Sequence, residues 1–243
     1  MAPMKLSVLT AYDFNTAKAL EEAGIDVILV GDSLAMVALG HPDTTKVTRD
    51  EMLTFTRAVK RGAPKTSIIA DIPFETISKS VEEIIEDSKM FIEAGAEFVK
   101  IEGAEKKELE VFKKLKELGI KTVGHIGFTP QTFEKFTNGR LVKDEEKLFK
   151  EAKLLEAAGV SLLILEMVQE SIAKKLTESI SVPTIGIGAG KDCAGQVLVT
   201  DDLLGRYSVF LPSFVKRYSE QYEDMLRSFK DYISEVRESK FPV

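Results

Sequence analysis

The sequence predicts a single α/β domain, one (β/α)8 TIM barrel, and three observations predict it. Short apolar runs alternate with helical stretches, the pattern of buried parallel strands separated by helices. Five of those runs end in a polar, ionisable residue. The length, 243 residues, is close to the roughly 250 of a typical barrel of this kind.

The first strand reads as Leu6–Thr10. A helix follows over Asn15–Ala23, with Gly24 as its stop. Val27–Val30 is the second strand. Thr48 opens the next helix with Glu51 three residues on, a capping-box spacing, and that helix ends near Gly62-Ala63-Pro64. The third strand is Ser67–Ala70, and its helix spans about 80–94. Phe98–Ile101 is the fourth strand, followed by a helix over Lys106–Leu118. Lys121–Gly124 is the fifth strand. An irregular stretch rich in Gly, Thr and Phe then runs from His125 to about Lys143. A helix over Asp144–Ala158, a strand over Ser161–Leu165, a helix over Ser171–Glu178 and a strand over Thr184–Ile187 come next. Gln196–Val199 completes eight strands.

Three helix-to-strand joints look alike: Glu22-Ala23-Gly24, Glu93-Ala94-Gly95 and Glu156-Ala157-Ala158-Gly159. This repeat is architectural, as expected of short αβ loops. No linker or composition break appears, so one domain covers 1–243. A charged, mainly helical segment over about 214–240 closes it. Solvation, barrel covering and subunit contact all remain open for that segment.

Composition limits the function. The core is adequate at 44% hydrophobic residues and the surface is well charged at 30%, as in an ordinary soluble protein. A net charge of −6 without a basic stretch argues against a nucleic-acid partner. The single cysteine, Cys193, excludes an intrachain disulfide and cysteine-based zinc patterns. No apolar run approaches the roughly 18 residues of a membrane span, and no signal-peptide pattern opens the chain. A cytoplasmic location is the expectation.

The five strand ends carry the chemistry. Val27–Val30 leads to Asp32, Ser67–Ala70 to Asp71, Phe98–Ile101 to Glu102, Lys121–Gly124 to His125 and Ser161–Leu165 to Glu166. Groups at the same end of successive barrel strands converge on the C-terminal rim, where active sites sit. Asp32 and Asp71 suit a hard divalent cation, but turn formation or helix capping is an equal reading of either alone. Ser33 beside Asp32 suits close approach to a ligand, or a cap. Lys100 and Glu102 alternate with Val99 and Ile101, so they share one face. They form either a substrate-facing cation and anion or a buried structural ion pair. Glu166 ends the most apolar strand, where burial raises a carboxyl pKa and suits a general base. Capping the next helix is the alternative. His125 is one of two histidines and is either structural or an accessory group. Gly186–Gly190 is a weak phosphate-loop signal and equally a tight turn.

Read together and in order, Gly31-Asp32-Ser33-Leu34, Asp71-Ile72-Pro73-Phe74, Lys100-Ile101-Glu102-Gly103, His125-Ile126-Gly127-Phe128-Thr129-Pro130-Gln131 and Gly186–Gly190 resemble the ketopantoate hydroxymethyltransferase family. Val47–Met52, Gly195–Val199 and Pro212–Tyr218 extend the resemblance over nearly the whole chain. No single motif would suffice; the ordered set is specific. The resemblance implies a Mg2+-dependent transfer of a one-carbon unit from 5,10-methylenetetrahydrofolate, the co-substrate, to 3-methyl-2-oxobutanoate. The implied product is 2-dehydropantoate, a precursor of pantothenate and coenzyme A. It further implies Asp32 and Asp71 as metal ligands with Glu102 as a ligand or water-mediated partner. Asp32, Ser33, Asp71 and Lys100 are then in contact with the keto acid, Glu166 is the proton acceptor, and the assembly is a homo-oligomer, usually a decamer. The chain departs from the family's usual pattern at Ala35, Glu75-Thr76-Ile77 and Asp192-Cys193-Ala194-Gly195; none of these removes a proposed site group. A related metal-dependent keto-acid lyase or mutase and a non-catalytic small-molecule-binding barrel are the alternative readings.

Overall fold

The computed structural model describes residues 5–131, 141–206, 209 and 211–242. Eight parallel strands pair in sequence order and close on themselves, which makes the fold a (β/α)8 TIM barrel. They are β1 Leu6–Thr10, β2 Val27–Val30, β3 Ser67–Asp71, β4 Phe98–Glu102, β5 Lys121–Gly127, β6 Leu162–Glu166, β7 Thr184–Ile187 and β8 Gly195–Leu198. The main helices between them are α1 Phe14–Glu22, α3 Arg49–Gly62, α5 Val81–Glu93, α6 Lys106–Glu117, α7 Glu145–Ala158 and α8 Glu170–Ser179. Three shorter ones, α2 Leu34–Val37, α4 Phe74–Ile77 and α9 Thr200–Leu203, have four residues each. A 3-10 turn spans Thr44–Lys46. The sequence reading missed these short pieces because four residues are too few for a 3.6-residue period to show.

Local chemistry places the long helices. Thr48 accepts from the Glu51 N–H while Glu51 reaches back to the Thr48 N–H, satisfying two otherwise orphaned donors. Ser80 and Glu83 do the same ahead of α5, so the predicted start at residue 80 is the cap. The predicted start at Asp144 is likewise the cap of α7. Close packing decides one glycine: a Cβ on Gly62 would lie 2.3 Å from Phe14 O and 2.9 Å from Ala17 Cβ, so α1 and α3 meet there only with glycine.

Period-two alternation divides the strand residues between two cores. Ile28, Val30, Ile68, Ala70, Val99 and Ile101 face the helices. Val8, Val27, Leu29, Ile69, Val123, Leu162, Ile164, Ile185 and Val197 fill the barrel interior. Each such side chain, fully buried, contributes about 1.5–3 kcal/mol.

Four strands extend further than their hydrophobicity predicts. β3 includes Asp71, β4 includes Glu102, β5 continues through His125 to Gly127, and β6 includes Glu166. The backbone ladder persists past the apolar run: Asp71 pairs with Lys100, Glu102 with His125 and Gly127 with Glu166. The irregular stretch predicted from His125 therefore begins after Gly127, and its part over 132–140 lies outside the described residues.

The chain divides into two compact units, 1–197 and 198–243. In the second, the Tyr218 N–H donates to Leu203 O at 2.8 Å and the Gln221 N–H to Leu204 O at 3.0 Å. The helix in the 214–240 segment, α10, is Gln221–Arg237, and none of its residues is buried. Among the described residues, no helix is long and apolar enough to cross a membrane.

Candidate active site

The ionisable strand-end residues continue the inward-facing series of the barrel. Asp71 comes two residues after Ile69, His125 two after Val123, and Glu166 two after Ile164. Lys100 and Glu102 follow Phe98 at the same spacing. The barrel interior is therefore apolar below and ionisable at the C-terminal ends of the strands.

The side chains form a connected chain. Lys100 Nζ donates to both Asp71 oxygens, at 2.8 and 2.7 Å, and lies 3.5 Å from Glu102 Oε1. Glu102 Oε1 is also 3.1 Å from His125 Nδ1. On the other side of the ring, His125 Nε2 lies 3.3 Å from Glu166 Oε2. That separation suits an ion pair, but Nε2 makes no aligned hydrogen bond. Asp71, Lys100, Glu102 and His125 are all buried, whereas the Glu166 side chain keeps 18% exposure. Glu166 is thus the open end of the chain.

Burial and charge set the ionisation states. Burial alone would depress the Lys100 pKa, but Asp71, Glu102 and Asp32 outweigh it and raise it. Burial likewise opposes charge on Glu102, yet Lys100 and His125 hold its pKa down at about 2. Burial and Lys100 disfavour the His125 cation, but Glu102 and Glu166 push its pKa up to about 9. Asp71 is raised, mainly by burial, with Lys100 pulling the other way.

Asp32 sits two residues beyond β2 and caps no helix. Its N–H donates to Asp71 Oδ2 at 3.3 Å, and its Oδ2 accepts from Gln131 Nε2 at 2.9 Å. Burial and the negative charge of Asp71 push its pKa well above the usual carboxylate range. Ser33 makes no side-chain cap on α2; its hydroxyl meets Tyr12 Oη at 2.8 Å instead. Glu166 does not cap α8, whose cap residue is Gln169.

The donor set fits a hard divalent cation by charge and by element. Four carboxylates, Asp32, Asp71, Glu102 and Glu166, face two cationic side chains, Lys100 and protonated His125. Oxygen donors carrying excess negative charge are what Mg2+ prefers, and among the described residues the side-chain donor to Asp32 is the neutral amide of Gln131. The shell is not gathered, however. Among the described residues, no three His, Cys, Asp or Glu groups converge as a metal cage, and Lys100 occupies both Asp71 oxygens.

The sequence reading missed two contributors, Gln131 and Tyr12. Gln131 lay within the quoted His125–Gln131 motif, so the signal was its position in that motif, without any assigned role. The Lys100–Glu102 pair predicted from strand alternation is present, but Lys100 is held more closely by Asp71, a partner on the neighbouring strand. The Gly186–Gly190 loop is closed by Gln196, whose Nε2 donates to Gly190 O at 2.9 Å, and the buried Cys193 is a free thiol.

Comparison with known proteins matches residues 2–243 to the family described as ketopantoate hydroxymethyltransferase. The 3-methyl-2-oxobutanoate hydroxymethyltransferase of Kosmotoga olearia is 49% identical over 242 residues, covering 98% of this chain and 90% of that protein. The protein of the same name from Thermotoga neapolitana is 47% identical, covering 98% and 89%. The Enterococcus faecalis counterpart is 45% identical, covering 98% and 88%. Among solved structures, a phosphonopyruvate hydrolase complex with oxalate and Mg2+ aligns with a TM-score of 0.67 at 11% identity, covering 97% of this chain and 83% of that one. A 2,3-dimethylmalate lyase aligns with a TM-score of 0.63 at 13% identity, covering 98% and 94%. At these identities the structural likeness concerns the barrel fold.

Proposed function

The chain belongs to the ketopantoate hydroxymethyltransferase family and is a transferase, and we propose that it moves a one-carbon unit from 5,10-methylenetetrahydrofolate to 3-methyl-2-oxobutanoate. The product is 2-dehydropantoate, on the way to pantothenate and coenzyme A. The observation that carries this reading is the continuous rim array Asp71–Lys100–Glu102–His125–Glu166, with Asp32 beside it. It supplies a cation for the keto acid's carboxylate, an excess of hard oxygen donors, and one carboxylate open enough to meet a substrate proton.

Asp32 and Asp71, with Glu102 adjacent, would hold a Mg2+ ion, which when bound acts as a Lewis acid toward the keto oxygen and the negative charge that develops there. Lys100 offsets the substrate's carboxylate charge, and Ser33 completes the keto-acid side of the pocket. Glu166 takes the C3 proton, leaving the substrate's C3 carbon nucleophilic toward the folate-borne carbon. His125, wedged between Glu102 and Glu166, places its Nε2 3.3 Å from Glu166 Oε2. It serves as an accessory group and not as the base.

The same reading makes the protein a homo-oligomer, a decamer by the family resemblance. The support within the chain is α10, whose Met225, Leu226, Phe229, Tyr232, Ile233 and Val236 are all exposed and recur at three- and four-residue spacing on one stripe. A cytoplasmic setting belongs to the reading as well.

An omission assay tests the reaction. The protein is incubated with 3-methyl-2-oxobutanoate, methylenetetrahydrofolate and Mg2+, and each is left out in turn. Turnover that requires all three supports the transferase reading. C3 deuterium exchange without any folate-dependent product points to another keto-acid enzyme. Neither exchange nor turnover points to a binding protein.

A further inference from the structure

We propose that Gln131 is the positioning residue that aims the carboxylates of Asp32 and Glu102 at a divalent cation. This rests on the proposed cation site and extends it to a group outside the coordinating carboxylates.

The geometry is specific. Gln131 is 5% exposed. Its backbone N–H donates to Glu102 Oε2 at 3.0 Å, while Glu102 Oε1 is taken by Lys100 and His125. Its side-chain Nε2 donates to Asp32 Oδ2 at 2.9 Å and to Ile72 O at 3.0 Å. One residue thus ties together the ends of β2, β3 and β4 from the segment after β5. The two acceptors around Nε2 fix the amide's orientation, because the flipped amide would set its oxygen against both of them.

The residue type follows from the task. Asp32 lies beyond the end of β2, outside the strand ladder, so its carboxylate direction is set by its partners. Among the described residues, Gln131 is the side chain that donates to it. A Lys or Arg in this place would neutralise Asp32 and compete with a cation. A Glu would repel Asp32. A carboxamide supplies a neutral donor, so it orients the carboxylate and leaves its charge available.

A second observation points to a ligand. Among the described residues, Gln131 Oε1 is buried without a hydrogen-bond partner, an uncommon state for a buried acceptor in a native protein. A cation such as Mg2+ keeps several of its waters when bound, and those waters are the donors this oxygen lacks.

The test is direct cation binding. Mn2+ is titrated into substrate-free protein and followed by electron paramagnetic resonance and calorimetry, for wild type, Gln131→Met and Gln131→Asn. Gln131→Met keeps the approximate shape and removes the amide. Gln131→Asn keeps an amide but withdraws it by one methylene. Gln131→Met is expected to weaken Mn2+ binding about 10- to 100-fold, the usual loss for a removed outer-shell partner. Gln131→Asn is expected to weaken it several-fold, and in both variants turnover should recover as Mg2+ is raised. A folded variant that binds Mn2+ with wild-type affinity overturns the proposal, including one that merely melts lower. If Gln131→Met does not fold, Gln131→Asn decides by the same criterion. If wild type itself fails to bind Mn2+, the cation site falls and the proposal falls with it.

Discussion

At Lys100 an observed structural pairing meets a proposed contact with substrate. The sequence offered them as alternatives. The structure buries Lys100 against both oxygens of Asp71 and near Glu102, so removing it leaves two buried carboxylates facing each other. Breaking a buried pair from one side typically costs about 3–5 kcal/mol. Lys100→Met is therefore expected to melt well below wild type and to raise the KM for the keto acid at least tenfold. Thermal melts and keto-acid titrations check this; an unchanged melting temperature would contradict the pairing, and an unchanged KM the contact with substrate. At this scale the sequence was most informative where alternation applies. Lys100 and Glu102 were assigned one face from their spacing alone. It was silent on Asp71 as the partner of Lys100, because register between strands is set by pairing that one strand's residues do not reveal. Gln131 was hidden for a related reason: its contacts are with residues 29, 59 and 99 positions away.

Elements explain where the sequence reading stopped short. Strand cores such as Val27–Val30 and Thr184–Ile187 were legible to the residue, since an apolar run between helices marks a strand buried on both faces. Strand ends were not, because the ladder carries on where the apolar run gives way to charge. The junction of β5 and β6 is the sharpest case. Gly127 has φ +100°, and a Cβ there would lie 2.2 Å from Glu166 O, while the next residue's N–H, that of Phe128, donates to that same oxygen at 2.8 Å. Gly127→Ala is expected to cost about 2–4 kcal/mol, from the strained backbone and the displaced strand together, and to lower kcat by moving Glu166. Full activity and stability in that variant would show that the two strands do not meet this closely.

The joint before β7 gives a pH-dependent test. Glu156, on α7, accepts from the Ser181 N–H and hydroxyl at 2.6 and 2.7 Å and from Lys153 at 2.9 Å. The Ser181 backbone bond is the main cause that lowers its pKa from 4.5 to about 2. A depressed carboxyl pKa stabilises the fold fully above the unfolded value, and that stabilisation is lost as pH falls through the folded one. Glu156→Gln is expected to melt a few degrees below wild type at pH 7, with the gap closing between about pH 4.5 and pH 2. A gap that stays constant across that window would contradict the assignment.

At the scale of the whole molecule, the barrel and its ionisable rim make one design: an apolar interior fixes eight strands, and the next inward-facing layer carries the chemistry. The motifs Gly31–Leu34, Asp71–Phe74, Lys100–Gly103, His125–Gln131 and Gly186–Gly190 lie at or just after the C-terminal ends of β2, β3, β4, β5 and β7. For the proposed oligomer, light scattering at micromolar protein is expected to give a mass several times that of the chain, about tenfold for a decamer. A monomeric mass would remove the oligomer from this account. The central claim is that Glu166 abstracts the C3 proton of 3-methyl-2-oxobutanoate at this rim. Proton NMR in deuterated water, with Mg2+ and without folate, reads that step directly as loss of the C3 signal. Glu166→Gln keeps the shape and removes the basicity, so it should bind the keto acid yet exchange at least about 100-fold more slowly than wild type, the lower end of what general-base catalysis contributes. Exchange at the wild-type rate in that variant would contradict the claim.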